Sequence, residues 1–168
     1  MMHWAYISIG SNMGDRLHNC RSGLAALCAD GSVQVAALSP LYETAPVDFT
    51  EQAWFLNAAA KIHCALSPMD LLGKMQAVQA AAGRKSDSVR YGPRILDLDI
   101  IFYEDSVMQT AELTIPHPRM HKRRFVLQPI CDIDPYVLHP VLGQEVKQLL
   151  RLLTEKEQPI HPCYDLSL

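Results

Sequence analysis

The chain has 168 residues, 49% of them hydrophobic and 20% charged, with a formal net charge of -3. This size and composition are typical of one globular domain, so we expect a single domain over residues 1–168. The slightly negative charge disfavours broad binding to nucleic acids or anionic membranes, and no run approaches the roughly 18 apolar residues of a membrane span. The N-terminal sequence lacks a signal-peptide pattern, which predicts a cytoplasmic protein.

The first half of the chain contains one amphipathic helix among extended segments. Aromatic and β-branched residues in "HWAYISI" predict a strand that ends at Gly10. Apolar residues then recur at helical spacing until Asp30 and Gly31 provide a stop. The predicted elements are a strand at 3–9, a helix from about residue 15, an extended stretch at 32–47 broken by Pro40 and Pro46, and a strand at 54–64.

The second half begins with the clearest helix signal in the sequence. Ser67 is a good N-cap, Pro68 suits the first helical position, and Gly83 follows the last apolar residue of the period. The further predicted elements are a strand at 95–103, a short strand in "TAELTIPHP", a helix beginning near Pro118 and a helix at 143–155. The order β, α, β, β, α, β predicts an α+β fold: a ferredoxin-like antiparallel sheet with additional C-terminal helices, in three αβα layers.

The strand in "RYGPRILDLDII" carries two aspartates in an otherwise apolar run. Because side chains alternate along a strand, Asp97 and Asp99 share one face while Leu96, Leu98 and Ile100 share the other. The two carboxylates are roughly 7 Å apart and repel by about 2 kcal/mol at an effective dielectric near 20. They are either a solvated pair or the ligands of a cation.

A basic segment, "GRKSDSVRYGPR", precedes that strand. It is too polar and glycine-rich to be core, and it reads as a loop carrying Arg84, Lys85, Arg90 and Arg94. Guanidinium groups match phosphate oxygens, although a charged loop can also be merely solvated. Carboxylates that hold Mg²⁺ next to phosphate-binding arginines are a recurring arrangement in phosphoryl transfer, so the combination favours that chemistry.

A second basic cluster lies in "IPHPRMHKRRFVL". His117 and His121 have the i, i+4 spacing of a helical zinc pair, but Pro118 falls between them and the H-E-x-x-H glutamate is missing. We therefore favour anion contact by one or two of these side chains, with the others solvated. The chain also lacks a Walker lysine motif and a G-x-S-x-G nucleophile frame, so direct transfer is preferred over a covalent intermediate.

Four stretches together resemble one family, with their order and spacing retained from about residue 5 to 136. They are "YISIGSNMGDR", "SPLYETAPVDFTEQAWFLNAAAKI", "GPRILDLDIIFYED" and "LTIPHPRMHKRRFVLQPICDIDP". The sequence is similar to 6-hydroxymethyl-7,8-dihydropterin pyrophosphokinases of folate biosynthesis. The resemblance implies transfer of pyrophosphate from ATP to the pterin hydroxymethyl group with two Mg²⁺ ions. The implied partners are these two small molecules, with no nucleic acid and no membrane, and we expect a monomer.

The resemblance also implies a role for each matching residue. The implied catalytic residues are Arg84, Arg94, Asp97 and Asp99, of which Asp97 and Asp99 bind the metal. The implied ATP-binding residues are Gln76, Gln79, Arg90, Tyr91, Ile100, Thr114, His117 and Arg123. The implied pterin-binding residues are Gly10, Thr44, Pro46, Val47, Phe55, Asn57 and Phe125, with the two phenylalanines stacking on the ring and Asn57 reading its edge. The sequence departs from the family pattern at Gln79, where many members carry glutamate, and at Ser86 and Glu112.

Two other functions use the same residues. A Mg²⁺-dependent phosphohydrolase would direct water rather than a pterin oxygen at the phosphate. A ferredoxin-like RNA-binding module would use the basic segments as its contact surface, but the stacking pattern K/R-G-F/Y of such modules is missing from the sequence.

Overall fold

A computed structural model describes residues 1–47, 50–83 and 92–165. Most of the strands and the two longest helices lie in the first two thirds of the chain, and the shorter helices lie in the last third. The strands are β1 (His3–Ser11), β2 (Val33–Leu38), β3 (Pro40–Thr44), β4 (Phe55–Cys64), β5 (Asp97–Tyr103), β6 (Met108–Gln109), β7 (Thr114–Ile115) and β8 (Ile160–Asp165). The helices are α1 (Arg16–Cys28), α2 (Pro68–Ala81), α3 (Arg124–Ile133) and α4 (Val146–Arg151), with a 3-10 helix at Met120–Lys122.

The main sheet is antiparallel throughout, with strand order β5-β1-β4-β3-β8. Strands β2 and β3 pair with successive parts of β4. At the junction between them, Ser39 Oγ accepts a hydrogen bond from the Ala59 N–H at 2.9 Å. The buried Ala59 N–H is therefore paired even though the strand ladder is interrupted there. This arrangement confirms the predicted ferredoxin-like α+β sheet, to which β8 adds an outer strand.

Helices cover both faces of the sheet, as the predicted three layers require. Alternate residues of β1 separate the two cores, since Ala5, Ile7 and Ile9 pack towards α1 and α2 while Tyr6 packs towards α3 and α4. We call the α1 and α2 side the rear face and the α3 side the front face. Among the described residues, no helix has the length and apolar character needed to cross a bilayer.

The predicted boundaries of α1 and α2 follow local signals. Asp15 caps α1 by accepting from the His18 N–H at 3.0 Å, and Ser67 caps α2 by accepting from the Asp70 N–H at 3.2 Å. Gly31 and Gly83 follow these helices with φ of +76° and +105°, a conformation that side chains disfavour.

The C-terminal third differs from the prediction. The helix expected near Pro118 begins at Arg124, because residues 120–122 form a 3-10 turn and Arg123 has extended backbone. The helix expected at 143–155 covers only 146–151, since Gly143 is left-handed and Glu145 forms the N-cap in a capping box with Gln148. Strand β8 was not predicted, and its Pro162 is a residue that sequence patterns count against a strand.

The short strand predicted in "TAELTIPHP" is present only as β7. It pairs with β6 in a separate two-stranded sheet, an element that the sequence pattern did not indicate. The predicted strand at 95–103 begins at Asp97.

Candidate active site

A cleft opens on the front face, at the end of the sheet where β1 lies between β4 and β5. Strand pairing sets Asn57, Gly10 and Asp97 side by side across these strands, and Asp99 lies opposite Ser8 in the next such row. The residues that line the cleft are Ser8, Gly10, Thr44, Ala45, Pro46, Val47, Gln52, Phe55, Asn57, Gly92, Arg94, Asp97, Asp99, Arg123 and Phe125. All seven residues that the family resemblance assigns to the pterin are in this set.

The two aspartates stand on the front face, as their alternation predicted. Both side chains line the cleft, while Leu98 and Ile100 are buried in the core on the rear face. The β-bulge between β1 and β5 falls after Ile100, so the pattern is undisturbed at the aspartates. The two carboxylates therefore project together into a partly buried, polar space.

Gly10 makes room for Asn57. A Cβ atom on residue 10 would lie 2.6 Å from Asn57 Oδ1, a separation that Cβ atoms do not tolerate. Asn57 is 5% exposed, and its Nδ2 donates to Thr44 Oγ1 at 2.7 Å. The amide is thus held between β3 and β1, where it offers hydrogen-bonding groups to a flat polar ligand.

Aromatic and cationic groups meet on the α3 side of the cleft. Phe125 lies in the first turn of α3, and the Arg123 guanidinium carbon is 5.5 Å from the centre of its ring. Phe55 begins β4 and lines the same cleft. Arg94, three residues before the start of β5, lines it as well. The cleft therefore has ring surfaces and positively charged groups together.

His117 lies close to these charges. Burial lowers its pKa to about 4, with Arg123 and Arg119 acting in the same direction and Asp97 in the opposite one. Its Nδ1 accepts a hydrogen bond from the Arg119 N–H at 3.2 Å, so the neutral ring carries its proton on Nε2. His117 therefore offers an uncharged N–H donor in the electrostatic neighbourhood of Asp97. With Thr114 it also lines a neighbouring cavity, beside the β6–β7 pair.

Three of the other residues implied to bind ATP lie on the rear face of the sheet. Gln76 is exposed on α2, and the Ile100 side chain is 3% exposed in the rear core, which does not support adenine packing by that side chain. Gln79 is 2% exposed, with Nε2 donating to Met75 O at 3.1 Å and Oε1 accepting from Leu98 N at 3.2 Å. Its amide ties α2 to β5. An ionised glutamate could not donate to Met75 O, which gives the family departure at residue 79 a local physical reason.

The other predicted residues of the basic loop, Arg84, Arg90 and Tyr91, lie outside the described residues, as does Ser86. Within the described part of the chain, the cleft also contains residues that sequence reasoning missed, among them Gln52 and Ser8. Both stand in stretches that carry the family resemblance, but a single polar residue at a strand or loop position gives no signal of its own.

A family model settles the relationship that these residues indicate. The model of the 7,8-dihydro-6-hydroxymethylpterin-pyrophosphokinase (HPPK) family matches residues 6–135. The chain belongs to this family. The cleft lies within the matched residues.

Individual HPPK relatives agree with this assignment. The chain is 40% identical to the 2-amino-4-hydroxy-6-hydroxymethyldihydropteridine pyrophosphokinase of Bacillus subtilis over 148 residues, covering 88% of each protein. It is 35% identical to the Aquifex aeolicus enzyme of the same name, covering 88% of this chain and 90% of that protein. The folic acid synthesis protein fol1 of Schizosaccharomyces pombe is 37% identical over 96% of this chain. The chain spans only 22% of the length of that larger protein.

Solved structures share the HPPK fold at low sequence identity. A crystal structure described as HPPK-DHPS in complex with substrates superposes with a TM-score of 0.72 at 12% identity, covering 93% of this chain and 44% of that one. Plasmodium falciparum HPPK-DHPS with pteroate gives 0.72 at 15% identity, over 90% of this chain and 42% of that one. These similarities establish the fold.

The donor set of the HPPK cleft suits a hard cation. Asp97 and Asp99 offer carboxylate oxygens from one strand face. Within residues 1–47, 50–83 and 92–165, no cluster of three or more His, Cys, Asp or Glu side chains is arranged to hold a metal ion by protein ligands alone. Mg²⁺ is commonly bound by one or two carboxylates and completes its shell with waters and substrate phosphates. A closed structural zinc site instead needs four protein ligands. The two aspartates therefore fit Mg²⁺ held jointly with a polyphosphate.

Proposed function

We propose that this chain acts as a single pyrophosphokinase domain that transfers pyrophosphate from ATP to 6-hydroxymethyl-7,8-dihydropterin. The products are AMP and the pterin diphosphate. The observation that carries the proposal is the convergence, in one cleft, of Phe55, Asn57 and Phe125 with Arg94 and the two aspartates. A flat heterocycle and a polyphosphate can therefore be bound within reach of each other.

The pterin half of the cleft is proposed to lie between β3, β4 and α3. Phe55 and Phe125 supply ring faces for offset stacking, and the buried Asn57 amide supplies hydrogen bonds to the pterin edge. Pro46 and Val47 also line the cleft, and their backbone groups are proposed to contribute to pterin binding. A pterin is apolar on its faces and polar around its edge, which this set of residues matches.

The phosphate half is proposed to lie around β5 and the start of α3. Arg94 and Arg123 supply fixed positive charge, and neutral His117 supplies an N–H donor that needs no proton uptake at pH 7. We include Arg84 and Arg90 of the basic loop in this half on the family resemblance. Together these groups would neutralise the charge that moves onto the AMP phosphate as it leaves.

The proposed transfer is direct. The pterin hydroxyl oxygen attacks the β-phosphorus of ATP, the bond from that phosphorus to the α,β-bridging oxygen breaks, AMP leaves, and the hydroxyl proton is released to solvent. When bound, two Mg²⁺ ions supply charge neutralisation and a more acidic hydroxyl. Asp97 and Asp99 would hold them. Positioning of the two substrates in line accounts for much of the rate in such reactions.

The deciding experiment measures AMP formation with and without the pterin. With ATP and Mg²⁺ we expect AMP to appear only when 6-hydroxymethyl-7,8-dihydropterin is added, in a one-to-one ratio with the pterin diphosphate. The matched control replaces the substrate by a pterin with a methyl group in place of the hydroxymethyl group, which can bind but cannot accept pyrophosphate. Phosphate release at the same rate without any pterin would overturn the proposal in favour of a phosphohydrolase.

A further inference from the structure

The side chain of Gln158 spans the start of α3. Its Oε1 accepts a hydrogen bond from the Arg124 N–H at 2.8 Å, and its Nε2 donates to the Lys122 carbonyl at 2.9 Å. A side-chain amide supplies both the acceptor and the donor that these two backbone groups require. Gln158 therefore holds the backbone on both sides of Arg123, one of the residues that line the cleft.

This amide provides a cap that α3 lacks in its own sequence. The N-cap residue of α3 is Arg123, whose side chain makes no capping hydrogen bond. The first N–H groups of a helix have no partner inside the helix, and the Arg124 N–H finds its partner 34 positions away at Gln158. Phe125 is the next residue of α3 and lines the cleft. The turn that presents this ring is thus held from outside the helix.

The segment that carries Gln158 is itself fixed. We call residues 154–159, which lie between α4 and β8, the C-terminal turn. The Gln158 N–H donates to the Thr154 carbonyl at 3.2 Å, which closes the turn. Glu155 Oε1 lies 3.5 Å from Nη1 of Arg124, whose side chain is mostly buried. The C-terminal turn therefore contacts the start of α3 through both backbone and side-chain groups.

The next residue of the C-terminal turn leads to another part of the cleft wall. The Pro159 carbonyl accepts a hydrogen bond from the Ala45 N–H at 3.2 Å, directly after the end of β3. Residues 45–47 line the cleft. The adjacent residues Gln158 and Pro159 therefore join the start of α3 to the segment after β3. Neither of them is among the described residues that line the cleft.

We propose that Gln158 is a positioning residue that fixes Phe125 relative to residues 45–47 and so sets the pterin half of the site. A ring that is already held in place loses less freedom when a flat ligand stacks on it. The inference rests on the proposed function, because that function assigns these residues to the pterin. Gln158 lies outside residues 6–135, which the family model matches, so the family motifs give it no role.

Two substitutions remove the amide. Gln158→Ala removes the whole side chain beyond Cβ, whereas Gln158→Met keeps its length and loses only the two hydrogen bonds. The matched control is Gln148→Met, because Gln148 Oε1 accepts from the Glu145 N–H at 2.9 Å at the start of α4. The control therefore loses a comparable helix-capping hydrogen bond at a helix that does not line the cleft.

The experiment measures pterin binding by calorimetry, the KM for each substrate, kcat and Tm. We expect both Gln158 variants to weaken pterin binding and raise the pterin KM by about tenfold, the equivalent of about 1.4 kcal/mol for two lost hydrogen bonds. The KM for ATP should change less, because Arg94 and the proposed Mg²⁺ ions also hold the phosphates. Gln148→Met should lower Tm and keep the wild-type pterin affinity.

A double-mutant cycle with Phe125→Ala tests whether Gln158 acts through that ring. In the Phe125→Ala background, Gln158→Met should weaken pterin binding by much less than tenfold, because the ring that it positions is gone. An equal loss in both backgrounds would overturn the inference, since residues that act independently give additive effects.

The remaining outcomes separate this inference from the proposed function. A wild-type protein that forms no pterin-dependent AMP overturns the proposed function. An active wild type whose Gln158→Met variant keeps the wild-type pterin affinity, even with a lower Tm, makes Gln158 structural only and overturns the inference. An equal loss of pterin affinity in Gln148→Met also overturns it, because general destabilisation would then be the cause. Should Gln158→Ala fail to fold, Gln158→Met decides by the same readings.

Discussion

At the floor of the cleft, three neighbouring strands set Asn57, Gly10 and Asp97 in one row, and each position has a distinct physical requirement. Residue 10 must lack a side chain because Asn57 Oδ1 occupies the space that a Cβ would need. Asn57 is fixed by Thr44, and Asp97 places a carboxyl group on the front face, where it lines the cleft. The position of the Asn57 amide in the cleft therefore depends on the absence of a Cβ atom at residue 10 and on the Thr44 hydroxyl.

Gly10→Ala is expected to displace Asn57. Overpacking at a buried site costs about 1–3 kcal/mol, and a misplaced Asn57 amide should weaken pterin binding by about tenfold for each 1.4 kcal/mol that is lost. Calorimetric pterin binding and chemical denaturation measure both effects. If the collision with Asn57 is the cause, Gly10→Ala should cost clearly less stability in an Asn57→Ala background. Equal costs in the two backgrounds would refute this explanation.

Asp97→Ala and Asp99→Ala are each expected to reduce turnover to background, because either change removes a carboxylate from the proposed Mg²⁺ site. Without Mg²⁺ the free energy of unfolding should be unchanged or raised by up to about 2 kcal/mol, since one repelling charge is gone. Turnover and urea denaturation check the two parts. Asp105→Ala, on the exposed turn after β5, is the matched control and should keep full activity. Retained turnover in either cleft variant would contradict the role.

At the scale of elements, both rear-face helices hold the start of β5. Gly23 allows α1 to approach so closely that a Cβ there would lie 2.5 Å from Leu96 Cδ2, in a side chain that is 1% exposed. Gln79 of α2 accepts a hydrogen bond from the Leu98 N–H. Asp97 lies between Leu96 and Leu98, so packing of these two residues on the rear face fixes the Asp97 carboxylate on the front face.

Gly23→Ala and Gly73→Ala form a matched pair in the two helices. At Gly73 nothing lies within 4 Å of the added Cβ, so alanine should stabilise the protein by roughly 0.5–1 kcal/mol through helix propensity. At Gly23 the collision with buried Leu96 should outweigh that gain and leave a net loss of about 1 kcal/mol. Urea denaturation measures both. A stabilised Gly23→Ala variant would show that the helix and Leu96 move apart easily.

At the scale of the whole molecule, the sheet has an apolar core on its rear face. Its front face carries a second core and the cleft. The loop that precedes α4 is attached to the front core through His139, which is 5% exposed. Its Nδ1 accepts from the Val141 and Leu142 N–H groups at 3.3 and 3.2 Å, so the ring must be neutral in this role. Burial lowers the pKa of His139, and the nearby His121 acts in the same direction.

Global stability is therefore expected to fall in mild acid. Since the folded pKa of His139 is below its ordinary value of about 6.5, the unfolded chain takes up the proton more readily. The stabilisation is fully present above that value and is lost as the pH falls below it. His139→Asn keeps an acceptor but does not titrate, so its unfolding free energy should fall less between pH 7 and pH 5. Exposed His63→Asn is the control and should behave like the wild type, whereas an identical slope in His139→Asn would exclude this cause.

Local sequence patterns predicted the elements whose cause is local. The start of α1 near Asp15, the N-cap at Ser67, the period of α2 and the alternation around Asp97 and Asp99 each depend on residues a few positions apart, and the structure confirms them. By contrast, β8 contains Pro162 and is a strand only because β3 offers it a free edge. The later start of α3 likewise follows from the 3-10 turn before it, which a periodic pattern does not reveal.

The sequence by itself determined the residue types of the site, the αβα class and, through its four family stretches, the pyrophosphokinase relationship. Only the tertiary structure decided which of these residues share the cleft. It brought Phe125 from α3 to the strands that carry Asn57 and Asp97, and it buried Gln79 against β5. It also hydrogen-bonded the Asn12 side chain to Gln52 and to Arg94, which lie 40 and 82 positions further along the chain. The physical reason is that such contacts join residues far apart in the chain, and their geometry is set by strand register and helix packing rather than by neighbouring residues.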